Sequence, residues 1–281
     1  VPAEGGRALR MTVHEAYEAR PQFSPDGNKI GFIGDRNGND DVFVMNANCS
    51  QIKQLTHHST SDGLTGWTPD NKAIFTTNRL FNQVEWEPEI HTVPADGGTP
   101  VRFFDSFGMM ATMSPDGRFL VFVRGYNREY RKRYRGPANK DLWIYDTQNG
   151  TYRQLTDFKG NDMYPAFSDS DTLYFLSERS GAHNIYKVPL NDDGSIGSSP
   201  QPITNVSNDG IRYFDVSNNG NRIVYERKTG LYTLNNGNRS SKRLPLDVSQ
   251  DQRFYNVERK NFSGDAEEFA ISPNGEFLAY V

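Results

Sequence analysis

The sequence predicts an all-β fold, a six-bladed β-propeller of four-stranded antiparallel blades. The main evidence is a turn sequence, Phe-Ser-Pro-Asp-Gly at residues 23–27, that occurs six times in intact or weakened form. The Ser or Thr of the six copies stands at positions 24, 68, 114, 168, 217 and 272, so successive copies are 44 to 55 residues apart. A period of this length is typical of repeat architectures such as propellers.

Each repeat carries the signals of four short strands. The first strand ends at the apolar residue before the Ser, and Pro-Asp-Gly then forms a tight turn because Pro fixes φ and Gly tolerates the exit conformation. Val, Ile, Phe and Tyr mark the second and third strands, as at residues 29–33 and 41–45. The fourth strand ends in Leu-Thr or Ile-Thr, as at residues 55–56. One such sheet cannot bury both faces alone, so we expect radial stacking of several sheets and almost no helix.

The two ends of the chain cut through a repeat. Residues 1–8 match residues 93–100, which join a third strand to a fourth, so a fourth strand is expected near residues 9–13. One interpretation is a single propeller of 1–281 with a sixth blade shared by the termini; its blades would be roughly 14–56, 57–104, 105–156, 157–204, 205–246, and 1–13 plus 247–281. The other, which we favour, is that the chain is a piece of a longer polypeptide, because ending within a strand leaves an open apolar edge.

Composition excludes several classes of function. The formal net charge of −4 argues against nucleic-acid binding, and no apolar stretch reaches the roughly twenty residues of a membrane-spanning helix. Cys49 is the one cysteine, which excludes an internal disulfide and a cysteine-built metal site. Gly-x-Ser-x-Gly, His-Glu-x-x-His and phosphate-binding glycine loops are all missing from the sequence, so no catalytic residue, cofactor or metal is predicted. His57 and His58 would need a third ligand from another blade, and a solvated loop pair is the simpler interpretation.

Acidic residues recur near the start of the predicted first strands. We interpret these as candidate channel carboxylates that could attract a peptide N-terminus or Lys and Arg side chains. The alternative is that each carboxylate stabilises its own turn or a neighbouring blade, and recurrence in most repeats favours this structural role. The four residues are Glu18, Asp62, Asp162 and Asp265.

Two insertions, at residues 79–88 and 124–137, separate the second and third strands of their repeats and therefore lie on one face. The second mixes six basic residues with three tyrosines, a composition that suits nucleic acid, acidic peptide or a neighbouring domain. A solvated hairpin is the remaining alternative, and the negative net charge favours peptide or domain contact. The candidate contact residues are Arg128, Tyr130, Arg131, Arg133, Tyr134 and Trp86.

The repeat resembles a known family. The Ser-Pro-Asp-Gly turn, the Asp before the third strand, the Pro-Ala-x-Gly-Gly turn and the Leu-Thr exit resemble the propeller repeats of TolB and of tricorn-type serine peptidases, most closely the bacterial tricorn-like peptidases. The resemblance covers essentially the whole chain. It implies a propeller followed by a second propeller, a PDZ-like module and an α/β catalytic core that carries the catalytic Ser and His, so no catalytic residue falls within this chain.

The resemblance also implies a function. A non-catalytic propeller of this kind would gate or channel peptide substrates or products and dock the other domains of its polypeptide, with self-association as a further option. An alternative is a TolB-like propeller that serves protein–protein interaction only, and a third is a propeller enzyme acting on glycans, which would need paired carboxylates in the channel. Bacterial relatives imply an exported or periplasmic location, whereas the archaeal type implies a cytoplasmic one.

Overall fold

The computed structural model describes residues 1–81, 84–128, 131, 134–248 and 269–280. Every regular element in this part of the chain is a β-strand, and no helix occurs there. The described residues accordingly contain no helix that is long and apolar enough to cross a bilayer. The prediction of an all-β fold is confirmed.

A short strand, β1 (Gly6–Arg7), precedes five four-stranded sheets, which we call blades 1 to 5. Blade 1 contains β2 (Glu18–Phe23), β3 (Lys29–Gly34), β4 (Asp41–Asn46) and β5 (Lys53–Gln54); blade 2 contains β6 (Asp62–Trp67), β7 (Lys72–Thr77), β8 (Glu89–Pro94) and β9 (Val101–Phe107); blade 3 contains β10 (Met109–Met113), β11 (Phe119–Arg124), β12 (Asp141–Asp146) and β13 (Thr151–Gln154). Blade 4 contains β14 (Asp162–Phe167), β15 (Thr172–Ser177), β16 (Asn184–Pro189) and β17 (Gln201–Pro202); blade 5 contains β18 (Tyr213–Val216), β19 (Arg222–Arg227), β20 (Gly230–Asn235) and β21 (Ser240–Arg243). The remaining strands are β22 (Leu246–Asp247), β23 (Phe269–Ile271) and β24 (Leu278–Tyr280).

Each blade is an antiparallel meander in which consecutive strands pair, and the first strands of consecutive blades contact one another along the series from β2 to β18. This is the arrangement of a β-propeller, in which the first strand of each blade is innermost. In blades 1, 3 and 4 the first strand has a β-bulge with a non-glycine residue in the left-handed region: Arg20, Met110 and Tyr164, with φ near 53°. Such bulges increase the local twist of the strand.

The expectation of six blades is wrong for the described residues, which form five four-stranded blades. Residues 9–13 were expected to form a fourth strand, but they lie outside any strand. The strand at this end is β1, which pairs in parallel with β22 through Gly6–Leu246 and Arg7–Asp247, while β23 and β24 pair only with each other. The first residues lie beside blade 5 because the Gly6 N–H donates to the Pro245 carbonyl and the Ala8 N–H to the Asp247 carbonyl, both at 2.7 Å. Glu4 adds exposed ion pairs with Arg222 and Lys242.

The Ser-Pro-Asp-Gly turn owes its composition to hydrogen bonds within the turn. In blade 1 the Ser24 hydroxyl donates to Asp26 Oδ1 (2.6 Å) and accepts from the Lys29 backbone N–H (3.0 Å), while Gly27 has φ of 72°. The hydroxyl bond lowers the pKa of Asp26 to about 2. The same Ser–Asp bond recurs in blade 3, between Ser114 and Asp116 (2.5 Å). The paired Ser and Asp are therefore explained by the geometry of the turn.

The Leu-Thr exit of the fourth strand is explained in the same way. The threonine hydroxyl accepts a hydrogen bond from the second backbone N–H of the third strand, at 2.9 Å from Val42 to Thr56 and at 3.1 Å from Leu142 to Thr156. This bond satisfies a backbone donor that the short fourth strand does not reach.

The hydrophobic core lies between the blades. Trp67 ends the first strand of blade 2 and packs on Gly31 in the second strand of blade 1; a Cβ at Gly31 would lie 2.7 Å from the indole. The indole N–H also donates to the Gln22 carbonyl (3.3 Å). Burial of one such aromatic side chain contributes about 2–3 kcal/mol. Contacts of this kind fix the spacing of neighbouring blades.

Candidate functional site

Three of the four predicted channel carboxylates form ion pairs within their own blade. In each pair the arginine follows the second strand by two residues: Glu18 pairs with Arg36, Asp62 with Arg79, and Asp162 with Arg179 (2.8 Å). The Asp62 and Asp162 side chains are fully buried. The fourth predicted carboxylate, Asp265, lies outside the described residues.

The arginines of these pairs also stack on aromatic rings. The Arg36 guanidinium lies 4.9 Å from the Phe43 ring centroid, and the Arg179 guanidinium lies 5.0 Å from that of Phe158. A guanidinium held between a carboxylate and a ring is positioned by both contacts. Each of these carboxylates is therefore already neutralised by an arginine of its own blade, and the pairs stabilise the blades.

Blade 3 has Gly108 where blades 1, 2 and 4 have the acid, because a Cβ there would lie 2.4 Å from the Phe122 ring. The acid is supplied instead by the first insertion, on blade 2. Glu87 Oε2 lies 2.9 Å from Arg124 Nε, and Glu87 Oε1 accepts the Gly125 backbone N–H (2.6 Å). The Pro88 carbonyl accepts the Gly108 N–H (2.8 Å). Sequence reasoning missed Glu87, and the only signal for it was the missing acid in the third repeat.

A buried polar network holds the base of the second insertion. The Asn127 N–H donates to the Ala138 carbonyl (2.8 Å), and the Asn127 side-chain amide donates to Asn161 Oδ1 (3.1 Å) on the loop that enters blade 4. Glu178 Oε1 in turn accepts both the backbone and the side-chain N–H of Asn161, at 2.9 and 3.1 Å. The network spans blades 3 and 4, so the base of the insertion is fixed relative to both blades.

The base of the first insertion is fixed by one carboxylate. Glu89 Oε1 accepts the backbone N–H groups of Leu80 and Phe81, both at 2.9 Å, and Glu89 Oε2 lies 2.9 Å from His91 Nε2. Burial lowers the pKa of His91 despite this partner. His91 therefore belongs to the buried base of this insertion, and the described residues contain no group of three or more His, Cys, Asp or Glu side chains that could hold a metal ion.

The outer parts of both insertions expose large side chains. Trp86 is 88% exposed and Tyr126 is 63% exposed, although each directly precedes a buried residue of the networks above. Arg128 and Arg131 are exposed, and the Arg131 guanidinium lies 4.5 Å from the Tyr134 ring centroid. Large exposed aromatic side chains on a fixed base are typical of interaction surfaces. We call this set, with Leu80 and Val84, the insertion face.

The structure thus describes four of the six predicted contact residues: Trp86, Arg128, Arg131 and Tyr134. Tyr130 and Arg133 lie outside the described residues. Glu87 joins the two insertions at their bases, a link that the sequence did not reveal.

Five meandering blades with recurrent Ser-Asp turns and two long insertions on one face define a β-propeller repeat module. Residues 1–240 match the family model of the tricorn protease N-terminal β-propeller domain, and the chain belongs to that family. This confirms the resemblance read from the repeat sequences.

Relatives of known sequence support the assignment. Tricorn protease homolog 1 of Streptomyces coelicolor is 30% identical over 238 residues, which cover 83% of this chain and 21% of that protein. The tricorn protease homolog of Saccharolobus solfataricus is 25% identical over 283 residues, covering 98% of this chain and 25% of that protein. The chain therefore spans about a fifth to a quarter of the length of these relatives.

Solved structures show the same fold. The crystal structure of the tricorn protease matches with a TM-score of 0.70 at 18% identity, over 96% of this chain and 26% of that one. A putative TolB from Agrobacterium tumefaciens matches with a TM-score of 0.65 at 17% identity, over 85% of this chain and 88% of that one.

Proposed function

We propose that this chain is the non-catalytic propeller module of a tricorn-like serine peptidase, which gates or channels peptides and docks the other domains of its polypeptide. The observation that carries the proposal is the insertion face: exposed Trp86 and Arg131 project from bases that buried Glu87, Glu89 and Asn161 hold in place. Aromatic and arginine side chains on a fixed base lose little conformational entropy on binding, which suits a recognition surface.

The catalytic part of the proposal is tested with the chain alone. Purified 1–281 should show no turnover of unstructured peptides, because serine nucleophilic catalysis would be performed by other domains. Turnover that a serine-directed inhibitor abolishes would sink the statement that the module lacks a catalytic centre.

The recognition part is tested by substitution in the insertion face. Trp86→Ala and Arg131→Ala should each weaken peptide binding, or assembly with separately supplied domains of a tricorn-like peptidase, by roughly 5- to 50-fold without unfolding the propeller. Val101→Ala, an exposed apolar residue on the outer strand of blade 2, is the matched control. Unchanged binding and unchanged assembly in both variants would refute the assignment of this face.

A TolB-like protein-interaction propeller is the second candidate. It is favoured by the TolB match, because there this chain covers 88% of the other protein rather than a quarter of it. If this alternative holds, a folded protein partner should bind the insertion face. Extended peptides and peptidase domains should not bind it.

A further inference from the structure

Two blade junctions carry the same pair of acidic positions and form a matched comparison within one chain. At the junction of blades 1 and 2, Asp41 begins the third strand of one blade and Asp62 begins the first strand of the next. Asp141 and Asp162 hold the same positions at the junction of blades 3 and 4. The backbone connects both junctions alike, through the Asp62 N–H to the Asp40 carbonyl (2.7 Å) and the Asp162 N–H to the Lys140 carbonyl (2.8 Å).

At the first junction every carboxylate oxygen has a donor. Asp41 Oδ1 accepts from the Thr56 hydroxyl (3.0 Å) and Asp41 Oδ2 accepts from the Gln54 side chain (2.9 Å). Both oxygens of Asp62 accept from Arg79.

At the second junction the carboxylates have fewer donors. Gln54 donates to Asp41 and also to the Thr56 carbonyl, whereas Gln154 donates, among the described residues, to the Thr156 carbonyl (2.8 Å) alone. Arg179 Nε donates to the Ser177 hydroxyl (2.8 Å), which leaves one Arg179 contact, at 2.8 Å, for Asp162 Oδ2. As a result Asp141 Oδ1 and Asp162 Oδ1 are both buried without a hydrogen-bond partner in the described part of the chain. Buried carboxylate oxygens without donors are costly, so the junction is incomplete as it stands.

The charges around Asp141 also indicate an incomplete junction. Burial first, then the charge of Asp162, then that of Asp157, raise the pKa of Asp141 to about 7. Burial also raises the pKa of Asp41, to about 6, but there the Thr56 and Gln54 hydrogen bonds oppose the rise. Burial likewise raises the pKa of Asp162, although Arg179, Ser177 and Thr156 oppose the rise. The local field at Asp141 is therefore negative, which favours a cation. Asp157 is exposed and Asp141 is partly exposed, so a ligand from solvent can reach these two residues, whereas Asp162 is buried.

We propose that Asp141, with Asp157, binds the primary ammonium group of a peptide, at a lysine side chain or at the N-terminus. An ammonium group supplies three N–H donors and a positive charge. The proposal rests on the proposed peptide contact, because Asp141 closely follows the second insertion and lies at the same end of blade 3. It goes beyond that contact by naming the group that is recognised.

Binding at this site is coupled to proton release. Below pH 7 the Asp141 carboxyl is protonated, so its proton leaves to solvent as the carboxylate forms the ion pair with the ammonium group. Affinity should therefore rise with pH up to about 7, by as much as about tenfold per pH unit, and level off above it.

The experiment uses the full chain and three pentapeptides amidated at the C-terminus: N-acetylated Ala-Ala-Lys-Ala-Ala, N-acetylated Ala-Ala-Gln-Ala-Ala, and penta-alanine with a free N-terminus. Calorimetric titrations at about pH 6 and about pH 7, in two buffers of different ionisation enthalpy, measure affinity and proton release. The lysine peptide should bind about tenfold or more tightly than the glutamine peptide and release a proton at the lower pH. The penta-alanine peptide distinguishes an N-terminal amine from a lysine as the preferred source.

Variants assign the site. Asp141→Asn should abolish the preference for lysine over glutamine and the proton release, whereas Asp41→Asn, at the matched position of blade 1, should retain both. Asp157→Asn, which changes an exposed residue and does not threaten folding, should weaken lysine-peptide binding several-fold.

Two results would overturn the proposal differently. Equal binding of the lysine and glutamine peptides would remove the ammonium site and leave the proposed peptide contact standing. No binding of any of the three peptides would remove the site and also count against peptide handling by the insertion face.

Discussion

Glu87 on the first insertion lies 2.9 Å from Arg124 Nε on the next blade, and this contact supplies blade 3 with the acid that its own first strand lacks. The second oxygen of Glu87 holds the Gly125 N–H, where the second insertion begins. The two insertions therefore share one ion pair at their bases, so a change at the base of one insertion alters the contacts of the other.

Replacement of Glu87 should destabilise the propeller. Glu87→Ala leaves the Arg124 guanidinium and the Gly125 N–H without their acceptor, with an expected loss of roughly 1–3 kcal/mol in the free energy of unfolding, measured by urea denaturation. Lys72→Ala, which breaks the exposed ion pair with Asp70 and keeps the turn bond between Thr68 and Asp70, is the control and should cost less than about 1 kcal/mol. Equal losses in the two variants would contradict a structural role for Glu87.

A side chain at Gly108 should not be tolerated, even though blades 1, 2 and 4 carry an acid there. Gly108→Ala places a Cβ 2.4 Å from the buried Phe122 ring, and such overpacking costs about 1–3 kcal/mol. The control is Gly237→Ala, where the nearest atom is 3.4 Å away. Thermal unfolding of both variants tests this, and a Gly108→Ala protein as stable as the control would refute the steric explanation.

The pH dependence of stability should reveal Asp141. Because its pKa is raised from 3.8 to about 7, the folded state keeps a proton that the unfolded chain loses near the lower value. This contribution to stability is present at low pH and is lost as the pH rises towards 7. Asp141→Asn removes it, so between about pH 5 and 8 the variant should lose roughly 1 kcal/mol less than the wild type in urea titrations. Parallel curves would show that Asp141 is ionised throughout this range.

The turn serine of blade 3 should matter for stability and not for recognition. Ser114→Ala removes the acceptor of the Phe119 N–H (2.9 Å) at a buried position, and should cost roughly 1–2 kcal/mol. Ser195→Ala, on an exposed loop, is the control. Calorimetric unfolding measures the cost, and peptide titrations should show unchanged affinity; a loss of binding with unchanged stability would reverse this assignment.

Local features were predictable from the sequence and long-range ones were not. The Ser24–Asp26 turn and the Thr56 exit depend on residues close along the chain, so their repetition was enough to predict four-stranded blades. The contact of Glu87 with Arg124 joins residues of different blades, and no local pattern encodes it. The sixth blade was predicted by counting copies of the turn, but a copy specifies only two strands, and the hairpin of β23 and β24 contains no more.

The candidate site also contains residues that the sequence predicted and contacts that it did not. Composition alone selected Trp86 and Arg131 as contact residues, and the structure places both on an exposed surface. It could not distinguish Asp141 from Asp41, because both begin a third strand with the same residue type. The two junctions differ in the hydrogen bonds that Asp41 accepts from Gln54 and Thr56 and in the second bond that Arg79 gives to Asp62.

The parallel pair of β1 and β22 has a consequence for how the molecule forms. Within the blades, consecutive strands pair, so each blade can assemble soon after its own residues are available. The contact of Gly6 with Leu246 instead closes a loop that contains all five blades, and its entropic cost is met only after they have stacked. We expect the β1–β22 pair to form last in folding and to open first in unfolding. Hydrogen exchange should therefore begin at the backbone amides of this pair.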